Sequence, residues 1–252
     1  MKKFVVSLAI IVAASLPAYG ASSDAKAPVS ETWKHAGFFG TFDRAAVQRG
    51  YLVYKEVCAS CHSLKYIGFR NLPAIGFSEA EAKAIAATYT VKDGPNDDGE
   101  MFERPGRLSD RFPSPYANDK AARAANNGAL PPDLSLIIKA RANGANYVHS
   151  ILTGYADAPA DMKLGDGMSY NPYFSGMQIG MPNPLAEDQV SFTDGTKASV
   201  KQMSKDVVTF LSWTAEPELE QRHAMGIKIV IFLLIAIGLT YAAMRRVWAA
   251  VH

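Results

Sequence analysis

The sequence predicts a mainly α-helical protein with long loop insertions, one small β-hairpin and one C-terminal membrane-spanning helix. Residues 199–213 repeat apolar side chains at helical spacing, which is typical of an amphipathic helix packed on a core. Residues 225–244 form a run that is apolar except for Lys228. Two long stretches, residues 91–117 and 156–184, show little or no apolar period, so we expect loops there.

The N-terminus has the features of a secretory signal peptide. Lys2 and Lys3 precede an apolar run over residues 4–14, and small residues occupy positions −3 and −1 of a cleavage site after Gly20. The run is too short to span a bilayer. We therefore expect residues 1–20 to be removed on export; the alternative is an uncleaved anchor.

The C-terminal residues 220–252 are predicted to anchor the chain. At ~1.5 Å per residue, the run over residues 225–244 is about 30 Å long, enough to cross the hydrocarbon core. Lys228 is close enough to one end to snorkel to the interface. Two arginines follow the run and acidic residues precede it, so the positive-inside rule places the C-terminus in the cytoplasm. The expected protein is single-pass in a bacterial inner membrane, with residues 21–219 in the periplasm.

Local signals place the remaining elements. A helix over residues 41–57 leads into the two cysteines. Ser78 and Glu81 form a capping box that opens a helix ending near Tyr89. Asn118 can cap a helix that Gly128 ends.

Later in the chain, helices are expected over residues 130–142 and 146–154. A small hairpin is expected over residues 190–198, around Asp194 and Gly195. Pro217 is placed in the first turn of the final helix, where its missing N–H costs nothing.

Charge and cysteine content exclude two classes of protein. The net charge is +2 and no Lys/Arg-rich run lies outside the two ends, so we expect no nucleic-acid partner. The chain has two cysteines, three positions apart, which excludes a disulfide framework.

Those cysteines form the pattern Cys58-x-x-Cys61-His62, which is typical of covalent haem c attachment. Two thiols on one helical turn can reach the two vinyl groups of a haem, and the adjacent histidine then lies under the iron. A thioredoxin-type redox pair would need a βαβ context, and a zinc site would need a second pair of ligands. We predict one haem c, with His62 as an iron ligand.

The residues alone leave the sixth iron ligand open. Met177 and Met181 lie in an irregular Gly/Pro-rich loop, and composition favours neither. The other histidines are weaker candidates: His35, His149, His223 and His252.

Long ordered segments of the chain resemble the cytochrome c1 family, the haem c subunits of the ubiquinol:cytochrome c oxidoreductase (cytochrome bc1) complex. The resemblance covers roughly residue 33 to the C-terminus. Its segments are YKEVCASCHSL (54–64), DGPNDDGEMF (93–102), AARAANNGALPPDLS (121–135), NPYFSGMQIGM (171–181) and WTAEPE (213–218).

The resemblance implies further site residues. Met181, ahead of a proline, matches the family's second axial ligand, whereas Met177 stands where the family usually has a non-ligand. Arg141 matches an arginine that bonds a haem propionate, and Tyr147 matches a nearby tyrosine. Some bacterial members carry an extra disulfide, for which this chain has no cysteines.

The resemblance also implies the function. A mobile Rieske iron–sulfur protein delivers electrons to the haem, which reduces a soluble or anchored cytochrome c. Cytochrome b is the implied membrane partner, and the complex is dimeric in the family. No bond is made or broken, so we expect no catalytic site in this chain. The alternative is a free-standing anchored cytochrome that feeds a terminal oxidase.

An acidic cluster on the long loop is the expected docking surface for the cytochrome. A negative surface attracts a lysine-rich partner and raises its rate of encounter. The cluster is Asp93, Asp97, Asp98 and Glu100.

Overall fold

The computed structural model describes residues 25–249. The predicted signal peptide and His252 lie outside the described residues. Six α-helices occupy this part of the chain: α1 Arg44–Glu56, α2 Glu79–Ala87, α3 Asp119–Ala125, α4 Gly144–Thr153, α5 Val200–Ala215 and α6 Leu219–Trp248.

Most of the predicted helices form where their capping signals stand. The Ser78 hydroxyl accepts from the Glu81 amide and the Glu81 carboxylate accepts from the Ser78 amide, which confirms the capping box of α2. Asn118 caps α3. Ser199 caps α5, accepting from the Gln202 amide.

Helices α1 and α5 cross at close range and form the centre of the domain. At Gly50 of α1 an added Cβ would lie 2.0 Å from the Asp206 carbonyl oxygen, so only glycine permits this approach. Beside it, the Arg49 guanidinium donates to both oxygens of the Asp206 carboxylate, at 2.7 and 3.0 Å. The Asp206 side chain is 1 % exposed, so this bidentate pair compensates a charge that would otherwise be buried alone.

Aromatic side chains fill the space between α1, α5 and the neighbouring turns. The rings of Phe69 and Phe112 are 4.4 Å apart, and the Tyr51 and Tyr54 rings lie 5.8 and 5.7 Å from that of Phe210. All five are buried. Edge-to-face and tilted aromatic pairs of this kind stabilise a core beyond the area they bury. The core therefore sits directly behind the turn that carries the two cysteines.

The β-structure is small and lies elsewhere than predicted. Strands β1 (Thr90–Asp93) and β2 (Phe102–Pro105) pair antiparallel with Thr90 opposite Pro105, inside the stretch expected to be a loop. Strands β3 (Ser169–Tyr170) and β4 (Gln178–Ile179) form a second antiparallel pair. The sequence of the first hairpin shows no apolar alternation. Arg104 holds this hairpin instead, because its guanidinium pairs with the carboxylates of both Asp93 and Asp110.

The predicted hairpin over residues 190–198 is wrong. That segment is irregular, and the Asp188 amide closes it by donating to the Ala198 carbonyl oxygen. Asp194 forms a local turn instead, its carboxylate accepting from the Thr196 amide at 3.0 Å.

The predicted helix over residues 130–142 is also wrong. The Leu134 amide donates to the Ser63 carbonyl oxygen, and the Asp133 carboxylate accepts from the Ser135 amide. After these contacts the segment continues as a series of turns, in which the Ile137 amide donates to the Leu134 carbonyl oxygen and the Lys139 amide to the Leu136 carbonyl oxygen.

Helix α6 extends from the domain and, by its length and composition, can cross a membrane. It begins at Leu219, so Pro217 precedes the helix by two residues and does not lie in its first turn as predicted. The Glu220 carboxylate ties the first turn to the domain, accepting from the Phe42 amide at 2.7 Å and from the Arg44 guanidinium at 2.5 Å. The chain is thus a helical domain with a membrane anchor.

Candidate functional site

A cavity of about 570 Å³ opens in the domain, within the range of ~300–1,000 Å³ that small-molecule and cofactor sites occupy. It brings together all six side chains that the sequence singled out: Cys58, Cys61, His62, Arg141, Tyr147 and Met181. The rest of its lining is mainly apolar, including Val57, Leu130, Ile137, Ile151, Leu152 and Leu211.

Cys58 opens a short 3₁₀ turn, Cys58–Ser60, that continues α1, and Cys61 follows it directly. The Cys61 and His62 amides both donate to the Cys58 carbonyl oxygen, at 3.1 and 2.8 Å. The buried Tyr54 of α1 fixes the end of this turn, because its hydroxyl donates to the His62 carbonyl oxygen at 3.0 Å. The helix therefore presents both thiols and the imidazole to the same cavity.

The His62 ring is held in one tautomer. Its Nδ1 lies 2.8 Å from the Pro132 carbonyl oxygen. A carbonyl only accepts, so Nδ1 carries the proton and Nε2 keeps its lone pair. A hydrogen bond from the far nitrogen is the usual way in which proteins orient a metal-binding histidine. Burial lowers the pKa of His62, which favours the neutral ring that a metal requires.

The loop with the two methionines folds so that Met181, and not Met177, lines the cavity. The Asn171 amide donates to the Met177 carbonyl oxygen at 3.0 Å, which closes the turn between β3 and β4. Met177 sits in that turn with φ of 56°. Met181 follows β4, and the Tyr155 hydroxyl donates to its carbonyl oxygen at 3.0 Å.

The described histidines other than His62 lie away from the cavity. His149 is buried against α5, where its Nδ1 is 2.9 Å from the Ser204 hydroxyl. His35 stacks on Phe42. His223 stacks on Phe38 at the start of α6.

Arg141 and Tyr147 both line the cavity; Arg141 lies just before α4 and Tyr147 within it. Burial raises the pKa of Tyr147, and the neighbouring Arg141 guanidinium partly offsets that rise. The Arg141 Nη1 also donates to the Ala140 carbonyl oxygen at 3.0 Å, which fixes a cation at the rim of an apolar cavity.

The two cysteines do not resemble a redox-active thiol pair. Burial raises the pKa of Cys58 to about 12, whereas a reactive thiol needs a lowered pKa. Neither cysteine is in a disulfide. Two half-buried thiols beside a single-tautomer histidine and an apolar cavity fit the donor set for haem c.

Sequence reasoning missed the residues that hold these ligands. Pro132 and Asp133 belong to a segment expected to be helical, and Tyr155 lies in an irregular stretch. The double proline was an available signal, because proline removes backbone donors and disfavours helix in the residue before it, which leaves carbonyls free to accept.

The acidic cluster is only partly free. Asp93 forms an ion pair with Arg104, which also bonds Asp110 at 2.6 Å. Asp97, Asp98 and Glu100 are exposed on the loop between β1 and β2. The structure thus leaves three of the four predicted carboxylates available at this surface.

A family model described as the Cytochrome C1 family matches residues 33–251. This chain belongs to the cytochrome c1 family. An Arabidopsis thaliana relative named "Cytochrome c1 2, heme protein, mitochondrial" is 55 % identical over 205 residues, which cover 81 % of this chain and 67 % of the relative.

Two further relatives of this cytochrome c1 chain are named for the complex. The Candida albicans "Cytochrome b-c1 complex catalytic subunit, mitochondrial" is 50 % identical over 207 residues, which cover 82 % of the chain and 72 % of the relative. The Bradyrhizobium diazoefficiens "Cytochrome b/c1" is 48 % identical over 279 residues, covering 99 % of the chain but 41 % of that longer relative.

Asp133 generates a pH prediction for the cytochrome c1 site. Burial alone would raise the pKa of this carboxyl, but the Lys65 amide and the donors of Ser135 and Ser63 lower it below its usual value. Its hydrogen bonds therefore stabilise the fold above the unfolded pKa of about 3.9 and are lost as the pH falls through the folded pKa. Asp133→Asn should cost about 1.5–3 kcal/mol near neutral pH.

Urea unfolding of the full chain in detergent, followed by circular dichroism at neutral and acidic pH, measures this effect. The loss in free energy of unfolding caused by Asp133→Asn should be smaller at acidic pH than at neutral pH. Asp97→Asn, on the exposed loop, controls for the loss of one negative charge. An equal deficit at both pH values would show that the charge on Asp133 is not what holds the segment.

Proposed function

We propose that this chain is the electron-transfer subunit of a cytochrome bc1 complex, which accepts electrons from the Rieske iron–sulfur protein and passes them through haem c to a cytochrome c. The observation that carries the proposal is the cavity that collects Cys58, Cys61, His62 and Met181 from distant parts of the chain. The family, and the relatives named for the b-c1 complex, support it.

In this proposal four side chains hold the cofactor. Cys58 and Cys61 would hold the haem through two thioethers, because addition of each Sγ–H across a vinyl group needs no external oxidant. His62 offers Nε2 to the iron, and Met181 offers its thioether sulfur. When bound, haem c supplies a one-electron iron couple, whose potential a thioether ligand raises relative to a second histidine.

Arg141 and Tyr147 are proposed to bind the carboxylate edge of the cofactor. Both line the same cavity as the ligands, and Arg141 brings a positive charge to it. A guanidinium can bond a propionate in bidentate fashion and offset its charge. The chain needs no acid–base residue for this task, and we assign it no catalytic site of its own.

We propose that residues 1–20 are cleaved, that residues 21–219 lie in the periplasm, and that α6 crosses the inner membrane beside cytochrome b. The capacity of α6 to cross a membrane and the arginines at its C-terminal end support this topology. Asp97, Asp98 and Glu100 are the proposed contact for cytochrome c, with Asp93 contributing less because Arg104 neutralises it.

The two methionines give a matched test of the iron ligands. Met181→Leu should abolish the six-coordinate low-spin haem spectrum and lower the reduction potential, because leucine fills the space without a sulfur donor. Met177→Leu is the control and should leave both unchanged. Optical spectra and redox titration measure the two variants. If Met177→Leu alone lost the spectrum, the assignment would be reversed.

Purification tests the complex and the topology together. An affinity-tagged chain purified from native membranes should bring down a b-type cytochrome. It should give a haem-stained band with the pyridine haemochrome spectrum of haem c, and its mass should equal that of a chain whose first residue is Ala21. Isolation without a b-type cytochrome would instead favour a free-standing anchored cytochrome.

The exposed carboxylates are tested by salt dependence. Replacing Asp97, Asp98 and Glu100 with their amides should slow the reduction of a lysine-rich cytochrome c at low salt, and the difference should vanish at high salt because the attraction is screened. A control variant with amides at Asp157, Asp161 and Asp166 changes the net charge equally. Stopped-flow rates that fall equally in both variants would exclude a specific role for the loop.

A further inference from the structure

The loop over residues 33–41 presents two exposed phenylalanines beside the start of the membrane helix. Phe38 is 58 % exposed and Phe39 is 80 % exposed, and their rings pack edge to face with centroids 5.0 Å apart. Exposing apolar side chains to water is unfavourable in free energy. Neither the haem cavity nor the proposed electron transfer uses these side chains.

The loop is a closed structure and not a loose tail. The Thr41 amide donates to the Lys34 carbonyl oxygen at 3.1 Å, and the Gly40 amide donates to the Gly37 carbonyl oxygen at 3.2 Å. Gly37 has φ of +81°, and a Cβ on Gly40 would lie 2.2 Å from the His35 carbonyl oxygen. These two glycines therefore allow a tight turn that holds both rings at its tip.

The loop contacts α6 at the point where this helix leaves the domain. The Phe38 ring stacks on His223, with centroids 6.1 Å apart and planes within 14°. Just past the loop, the Phe42 amide donates to Glu220 in the first turn of the helix. His223 precedes Met225, the first residue of the apolar run, by only two residues, which is about 3 Å along the helix axis. The rings thus lie at the expected bilayer surface.

We propose that Phe38 and Phe39 insert into the surface of the lipid bilayer and act as a second anchor that sets the tilt and height of the domain on α6. The tip is too small for a protein interface, because two phenylalanines offer at most roughly 300–500 Å², against about 800 Å² per partner in a standard interface.

The charges around the tip also favour lipid. Lys34, Arg44 and Arg222 have half-exposed or exposed side chains, and each already pairs with a carboxylate of this chain. Cations beside aromatic rings are typical of a bilayer surface, where their long stems snorkel towards the headgroups. Because all three cations are already paired, none of them offers an unpaired charge by which a protein partner could recognise this surface.

Site-directed spin labelling tests the proposal with the full holoprotein in nanodiscs of phosphatidylcholine. With Cys58 and Cys61 in thioethers, a cysteine introduced by Phe39→Cys is the sole target, and the unlabelled parent chain is the blank. The label should collide readily with oxygen, which concentrates in lipid, and poorly with a water-soluble nickel chelate. Met101→Cys, at a residue 63 % exposed on the β1–β2 loop, should show the opposite preference.

The outcomes separate the possible environments. High nickel accessibility at position 39 would place the tip in water and overturn the proposal. An immobilised label shielded from both reagents would mean that a protein surface, of this chain or of a second copy of it, covers the tip, and would overturn the proposal as well. Phe38→Cys repeats the test from the neighbouring ring, and the haem spectrum shows that each variant has folded.

Discussion

The hydrogen bond between His62 Nδ1 and the Pro132 carbonyl oxygen is the contact on which the candidate site depends. It fixes the imidazole tautomer and joins the cysteine turn to a segment seventy residues further along the chain. Asp133 holds that segment in place by accepting from Ser63 and from the Lys65 amide. The site therefore rests on a short irregular segment that backbone and carboxylate hydrogen bonds hold in place, and Pro132 and Leu134 of this segment line the cavity.

Behind this segment, the crossing of α1 and α5 supplies the rigid support. Gly50 lets the two backbones touch, and Arg49 pairs with the buried Asp206. Tyr54 of α1 connects this crossing to the cysteine turn, because its hydroxyl donates to the His62 carbonyl oxygen. On the ligand loop, the buried Asn171 has the same function: its amide nitrogen donates to the Ile151 carbonyl oxygen of α4 at 2.8 Å. Each proposed ligand is thus tied to a helix of the core.

The sequence was sufficient where a local signal determines the structure. Caps at Ser78 and Asn118 mark real helix starts, and the apolar patterns predict α5 and α6. The six candidate residues line one cavity, and their roles toward a cofactor stay predictions. Residues 130–142 were mispredicted because a remote segment holds them, through the Ser63 carbonyl oxygen. The β1–β2 hairpin was mispredicted because ion pairs of Arg104 with Asp93 and Asp110 hold it in place of an apolar alternation. No local period records such contacts.

The cavity draws its lining from residues as far apart as Val57 and Leu211. Contacts of such long sequence separation form late in folding, because the chain must first lose the entropy of closing large loops. The five residues from Cys58 to His62, by contrast, are contiguous and need no tertiary structure to be accessible. In the proposed site, covalent attachment at the thiols can therefore precede folding, whereas coordination by Met181 would have to wait for it. The spacing of the proposed ligands along the chain therefore determines the order in which the site would assemble.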